Sequence, residues 1–390
     1  MKTSQGKQSI PLFDIALSSR AKREVTSTLA SGWLTTGPKV AAFEQAVCRY
    51  LNVKYAAAVN SATAGLYLVL KALGAGKGKE IVTTPFTFIS AIEAIMMTGA
   101  KPVFADIDPH TLDLDPHEAA RKVSNRTIAI VPADIAGYPA NYQLLKHVAA
   151  EHSLYLVADA AHSFGATYRN RTVPNLADAA IFSFYSTKNL TCGEGGMVVS
   201  RHRRLIEKVK RLSLHGLTAG AYERKQRNKW EYDVVDFGFK GNMSDIHAAV
   251  GLGQLSIFEK DQAKRAALAE RYMKKLAGLS DFLELPIIEK HYRHGWHLFI
   301  IKLHLSRLKI TRDRFIELMV NYGIECGVHY KPIFELTYYR KTLGLSAKHF
   351  PNTAFAGHSV VTLPLYPLLR AVDVDYICGC INTIVKKHTR

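Results

Sequence analysis

The chain alternates short β-branched or apolar runs, at 55–59, 80–84, 101–106, 127–132, 154–158, 179–184 and 196–200, with helical patterns. The stretches 41–51, 62–73, 90–97 and 141–152 carry apolar residues at threes and fours, the period of a helix with one buried face. Strands separated by helices run in the same direction, because each crossover is long enough to carry the chain back to the start of the next strand. The pattern predicts an α/β fold built on a mainly parallel seven-stranded sheet.

Such a sheet does not use the whole chain. At 390 residues the protein exceeds the roughly 250–300 residues at which a single core stops growing, which predicts two domains. After Met243 the pattern changes to one long helical stretch from 244 to about 279, with Ile246, Val250, Leu255 and Phe258 on a stripe. An apolar strand around 297–303, a helix at 312–322, a strand ending at His329 and terminal helices follow. This order predicts a large domain at 1–250 and a smaller C-terminal α+β domain at 251–390.

Charge and cysteines narrow the function classes. The chain has 51 Lys+Arg against 33 Asp+Glu, a formal +18, a field that attracts anions. The basic helix at 201–212 lacks interleaved aromatics and reads as a solvated helix face rather than a nucleic-acid arm. Five scattered cysteines form no disulfide framework. Cys378 and Cys380 lack a second pair at zinc spacing, so they read as core residues and no metal site is expected. The start MKTSQGKQSIPLF has no apolar signal region, and no uncharged apolar run approaches 18 residues. A cytoplasmic protein without membrane contact is expected.

The residues that carry chemistry cluster between 154 and 200. A buried-strand pattern at 154–158 delivers Asp159 to its carboxyl end, where open α/β sheets place ligands. A carboxylate there needs a cationic partner. The FSFYSTKN segment places Ser183 and Lys188 at another strand end before a glycine-rich turn, a setting for a reactive amine. Together, Asp159 and Lys188 read as the two poles of a pyridoxal phosphate site: an amine to hold the aldehyde and an acid to keep the ring nitrogen protonated. Ser183 would bind the phosphate. At 60–65 a strand gives way to a helix through small residues, and the free amides of such a helix start bind anions; Ser61 alone would be a helix cap.

The ordered set GWLTTGP (32–38), VNSATAGL (59–66), TTPFTFISAIEAI (83–95), PVFADID (102–108), ADAAHSFGA (158–166), FSFYSTKNLTCGEGGM (182–197), FKGNMSDIHAAVGLGQL (239–255) and the HY of VHYKP (328–332) resembles the DegT/DnrJ/EryC1/StrS family over nearly the whole chain. The resemblance implies a pyridoxal-phosphate-dependent sugar aminotransferase of the aspartate-aminotransferase fold, fold type I. It implies that Lys188 carries the cofactor, that Asp159 partners the pyridinium nitrogen, and that Ser183, Ala62 and Thr63 bind its phosphate. Phe88 would stack on the ring, and His162 would sit near the ring hydroxyl. Asn242, with Lys240, would reach the phosphate of a neighbouring subunit, which implies a homodimer with shared sites. His329 would line the substrate side. Two positions depart from the family pattern: Asp134 stands where many relatives carry His, and Lys240-Gly-Asn-Met where many read Asn-Tyr-Arg-Met.

The expected reaction moves an amino group from an amino acid, L-glutamate by analogy, to a keto group of a nucleotide-linked sugar in a ping-pong sequence. C4 of the sugar is expected from the FSFYSTKN–EGG stretch, with C3 as the alternative. The product would serve surface glycans or secondary metabolites. Other classes fit worse. GAGKGK at 74–79 sits between a helix and a strand, not at the turn a nicotinamide site requires, and no G-x-x-x-x-G-K-[ST] occurs. A basic nucleic-acid-binding protein rests only on net charge and the 201–212 helix.

Overall fold

The computed structural model describes residues 9–228 and 230–390. All seven anticipated strands form and join one sheet: β1 (Tyr55–Val59), β2 (Glu80–Thr83), β3 (Lys101–Phe104), β4 (Thr127–Val131), β5 (Tyr155–Asp159), β6 (Ala179–Ser183) and β7 (Gly196–Ser200). Their spatial order is β1-β7-β6-β5-β4-β2-β3. Neighbours from β6 through β3 are parallel, whereas β7 runs antiparallel to both β1 and β6. Two reversals cancel, so β1 points the same way as β5 and β6 and ends on the same sheet edge.

Side chains that alternate along these strands feed two apolar layers. Ala58, Ile130, Ala158, Phe182 and Val199 face the helices Pro38–Leu51 and Tyr142–Glu151. Val59, Val131, Val157, Ile181 and Val198 face Ala62–Ala72, Ile89–Met97 and Arg203–Leu212. Strands buried on both sides read as continuous apolar runs, which is why the sequence marked them so clearly. The basic helix Arg203–Leu212 belongs to this cover. It buries Leu205, Ile206, Val209 and Leu212, and ties Lys210 to Glu44 and Arg211 to Asp236. The segment 74–79 is a turn leading into β2, with Gly74 and Gly78 at positive φ.

A separate apolar cluster gathers a three-stranded antiparallel sheet, β8 (Leu283–Glu284), β9 (Phe299–Leu303) and β10 (Val360–Leu363), with the helices Phe258–Leu276, Arg312–Asn321 and Ala371–Lys387. Cys378 and Cys380 pack inside it, and so does Ile10, whose amide donates to Gly323 O at 2.8 Å.

Two expectations need correction. The helix expected to run from 244 to 279 is broken into Asp245–Leu255 and Phe258–Leu276. Phe258 packs edge-on against Tyr50 and Phe164 in one core, while Leu268, Tyr272 and Leu276 belong to the other. A single straight stripe cannot face both cores, and the chain turns at Ser256–Ile257. The strand expected to end at His329 does not form either. Two isolated bridges stand in its place, Ile324 to Ile10 and Gly327 to Thr362, after which His329 Nδ1 meets Thr362 Oγ1 at 2.9 Å. No described helix is long and apolar enough to cross a membrane.

Candidate active site

Parallel strands end together, and the residues just past their carboxyl ends share one rim. Asp159 closes β5, Ser183 closes β6, Ser61 follows β1, Phe88 lies in the turn after β2, and Asp134 follows β4. These residues wall a cavity of about 520 Å³ that also receives Ala62, Thr63, His162, Lys188, His297, His329 and Tyr330. Eight of the nine residues anticipated for the site line it: Lys188, Asp159, Ala62, Thr63, Phe88, His162, Ser183 and His329. Asn242 does not. It pairs with Val59 beside the end of β1, donates from Nδ2 to Thr36 Oγ1, and keeps a buried Oδ1 without a partner. Lys240 is exposed nearby.

Asp159 and Lys188 carry the electrostatics. Burial lifts the Asp159 carboxyl to about 6, although the Ala161 amide at 3.2 Å and Lys188 pull it down. Burial lowers the Lys188 amine to about 8, with Asp159 pulling it up. Each charge stabilises the other where water does not. The result is a lysine still mostly protonated at physiological pH but with its neutral form within easy reach, the state in which an amine attacks a carbonyl or takes a proton. The surrounding histidines are held neutral: burial and the nearby lysine push His162 and His297 well below the ordinary range and His329 to about 4.

The helix Ala62–Ala72 opens onto the same cavity. Ser61 caps it, accepting from Ala64 N at Oγ and from Gly65 N at its carbonyl, which leaves the first-turn amides of Ala62 and Thr63 for an anion. Gly196 makes this turn possible, since a Cβ there would lie 2.7 Å from Ala62 N. Phe88 is 54% exposed, whereas its neighbour Phe86 is fully buried. Phe88 is therefore a cavity-facing ring and not a core residue. An amine, an acid, a hydroxyl with free amides, and an open aromatic face are the groups that pyridoxal phosphate needs at its aldehyde, ring nitrogen, phosphate and ring plane.

Three more residues join the site: His297 and Tyr330, to which the sequence reading gave no role, and Asp134, noted there only as a departure from the family pattern. His297 Nε2 lies 3.3 Å from Lys188 Nζ, and Tyr330 OH lies 2.9 Å from His162 Nε2. Asp134 accepts from Tyr142 OH at 2.7 Å, from Ala140 N at 3.0 Å and from Ser163 Oγ, and its own amide donates to the Asp159 carbonyl at 3.1 Å. The HGWH segment at 294–297 is visible in the sequence, but without carboxylate or cysteine company its histidines do not read as metal ligands, and nothing local links His297 to Lys188. His294, its other histidine, is buried against Trp296 and accepts from that residue's amide.

A sequence profile of the DegT/DnrJ/EryC1/StrS aminotransferase family matches residues 16–382. The chain belongs to the DegT/DnrJ/EryC1/StrS aminotransferase family. It is 40% identical over 366 residues to the spore coat polysaccharide biosynthesis protein SpsC of Bacillus subtilis, covering 93% of this chain and 94% of SpsC. Spr1654 of Streptococcus pneumoniae, described as a sugar aminotransferase and solved in PLP, PMP and apo forms, superposes with a TM-score of 0.91 at 30% identity, covering 97% of this chain and 98–99% of Spr1654. Helicobacter pylori PseC, an aminotransferase involved in pseudoaminic acid biosynthesis, superposes at 0.90 with 27% identity, covering 97% of this chain and all of PseC. This DegT/DnrJ/EryC1/StrS member is a pyridoxal-phosphate-dependent sugar aminotransferase with the fold type I architecture.

Proposed function

We propose that this enzyme transfers the amino group of an amino acid, L-glutamate, to the C4 keto group of a nucleotide-diphosphate sugar, taking donor and acceptor in turn at one site. One observation carries the reading: Lys188, Asp159, Ser183 and the free amides of Ala62 and Thr63 converge on a single cavity. Pyridoxal phosphate, once bound, supplies an electron sink next to the carbon that exchanges nitrogen. Asp159, at the cavity floor, holds a negative charge against the ring nitrogen and keeps its proton in place. Lys188 Nζ anchors the cofactor between turnovers. When freed, it takes the proton from the donor's α-carbon and returns a proton as general acid. Ser183 Oγ and the amides of Ala62 and Thr63 grip the phosphate, Phe88 covers the ring, and His162 stands beside the ring hydroxyl. His329 lies on the substrate side.

The sugar assignment rests on the family and on the FSFYSTKN–EGG stretch, and the spore coat polysaccharide role in the name of SpsC supports a glycan precursor as product. The basic excess suits an anionic donor, a phosphorylated cofactor and a nucleotide diphosphate. A cytoplasmic location follows from that substrate class. Two domains meeting near residue 250 and an active homodimer complete the reading. Trp230 and Phe237 are 82% and 85% exposed in the single chain, an apolar surface that a second copy would cover. The same contact would bring Asn242, with its unpartnered Oδ1, to the neighbour's phosphate.

The test is the visible spectrum of the purified protein supplied with pyridoxal phosphate, before and after glutamate, alongside Lys188→Ala. A yellow band that collapses with glutamate in the wild type, and is missing in the variant before donor is added, supports the reading. No band in the wild type sinks it. Proton NMR of the product from a 4-keto and a 3-keto nucleotide sugar then separates C4 from C3.

A further inference from the structure

Behind Lys188 stands a chain of three side chains drawn from distant parts of the sequence. Asn189 Nδ2 and Gln262 Nε2 both donate to the carbonyl of Gly295. That carbonyl can only accept, so both amide groups must turn their NH₂ ends toward it. Asn189 Nδ2 also donates to Gln262 Oε1 at 3.2 Å, which holds the two amides in register. The remaining atom of Asn189, Oδ1, then faces His297 Nδ1 at 3.2 Å. An amide oxygen accepts, so His297 must carry its proton on Nδ1. Nε2 is left as a bare lone pair, aimed at Lys188 Nζ 3.3 Å away.

The neighbours of His297 agree with a neutral ring. Lys188, His162, His329 and Arg265 all approach it, each disfavouring a positive charge, and burial acts in the same direction. His162 packs against it with ring centroids 4.4 Å apart. Arg265 is buried and spends its donors on the carbonyls of Trp296 and Leu365, which fixes the segment that carries His297. On the lysine itself, Asp159 opposes burial with a charge of opposite sign.

We propose that His297 is a positioning residue for Lys188: the Gln262–Asn189–His297 relay locks its Nδ1–H tautomer and presents Nε2 as a fixed acceptor on which Nζ rests whenever it is not bonded to the cofactor. The acceptor favours the ammonium form of Lys188 and opposes the effect of burial. It also sets the direction from which the amine returns to the cavity. The proposal rests on the reading of Lys188 as the cofactor-bearing amine, but its test needs no cofactor.

The experiment uses the full-length apoprotein with ¹⁵N-labelled histidine. The expected ¹⁵N shifts show His297 neutral, with its proton on Nδ1, from pH 6 to 9; an Nε2–H tautomer or an imidazolium at pH 7.5 overturns the proposal. In parallel, the pH dependence of Lys188 acetylation is followed by mass spectrometry in wild type, His297→Leu, His297→Gln and Asn189→Leu. Loss of the acceptor in His297→Leu should lower the lysine pKa by ~1 and raise its acetylation at pH 7 about fivefold. His297→Gln, which keeps an acceptor, should restore the wild-type profile, and Asn189→Leu should move the proton of His297 toward Nε2. Unchanged lysine titration in His297→Leu refutes the relay, whereas absence of a cofactor band with the relay intact refutes only the aminotransferase assignment.

Discussion

Asp134→Asn should make this enzyme more stable at pH 8 while weakening its site. Asp134 is 2% exposed, and burial raises its carboxyl from an ordinary 3.8 to about 7, with Asp159 adding to the rise. Between those two values the folded chain binds more protons than the unfolded one, so stability is greatest below the unfolded pKa and is lost as pH rises through 7. The rise amounts to about 4 kcal/mol of penalty in the ionised form. Asparagine removes that penalty but accepts less strongly from Tyr142 OH and Ala140 N, and it sets an Nδ2 donor against Ser163 Oγ in place of the acceptor that hydroxyl now uses, an offset of ~1–2 kcal/mol. The net expectation is a gain of ~2 kcal/mol at pH 8 and a small loss at pH 4.5. Urea unfolding of both proteins at the two pH values measures it directly. A variant destabilised equally at both pH values would refute the argument, because the carboxylate would then act through its hydrogen bonds and not through its charge.

Other outcomes follow from the same geometry. Gly196→Ala should lower cofactor affinity at least tenfold and destabilise the fold by ~1–3 kcal/mol, because its Cβ would press on Ala62 N and Ser61 at 2.7 Å; equilibrium binding of pyridoxal phosphate and thermal unfolding report the two effects. The rate of cofactor capture should rise with pH through about 8 as Lys188 loses its proton, and stopped-flow absorbance would detect a flat profile if the lysine were not the attacking group. Phe88→Ala should weaken cofactor binding by about tenfold with little change in melting temperature, since more than half of the ring is exposed; a large drop in melting temperature would assign it to the core instead.

Much of this protein was legible along the chain, and the reason is locality. Strands buried on both faces are continuous apolar runs, so all seven appeared at their positions within a residue or two. A parallel sheet places the residues that follow its strands on one rim, so strand-end positions together with the family resemblance pointed to Asp159, Ser183, Lys188 and the 61–63 turn, which line one cavity. Local periodicity failed where one segment serves two cores. The stripe from 244 onward is continuous in sequence, yet Phe258 and Leu268 face different clusters, and only the packed structure shows the turn between them.

What the sequence by itself determined was the sheet, its helices, the family and the pair of opposite charges, since each is written in short runs or ordered motifs. Only the tertiary structure decided which acceptor meets Lys188 and which donors surround Asp134. His297 reaches the lysine from 109 residues away, and Tyr330 reaches His162 from 168. Hydrogen bonds between such partners depend on where two separately built elements come to rest. No periodicity in either element records that distance, so a histidine with no assigned role in the sequence becomes, in the folded chain, the neighbour of the reactive amine.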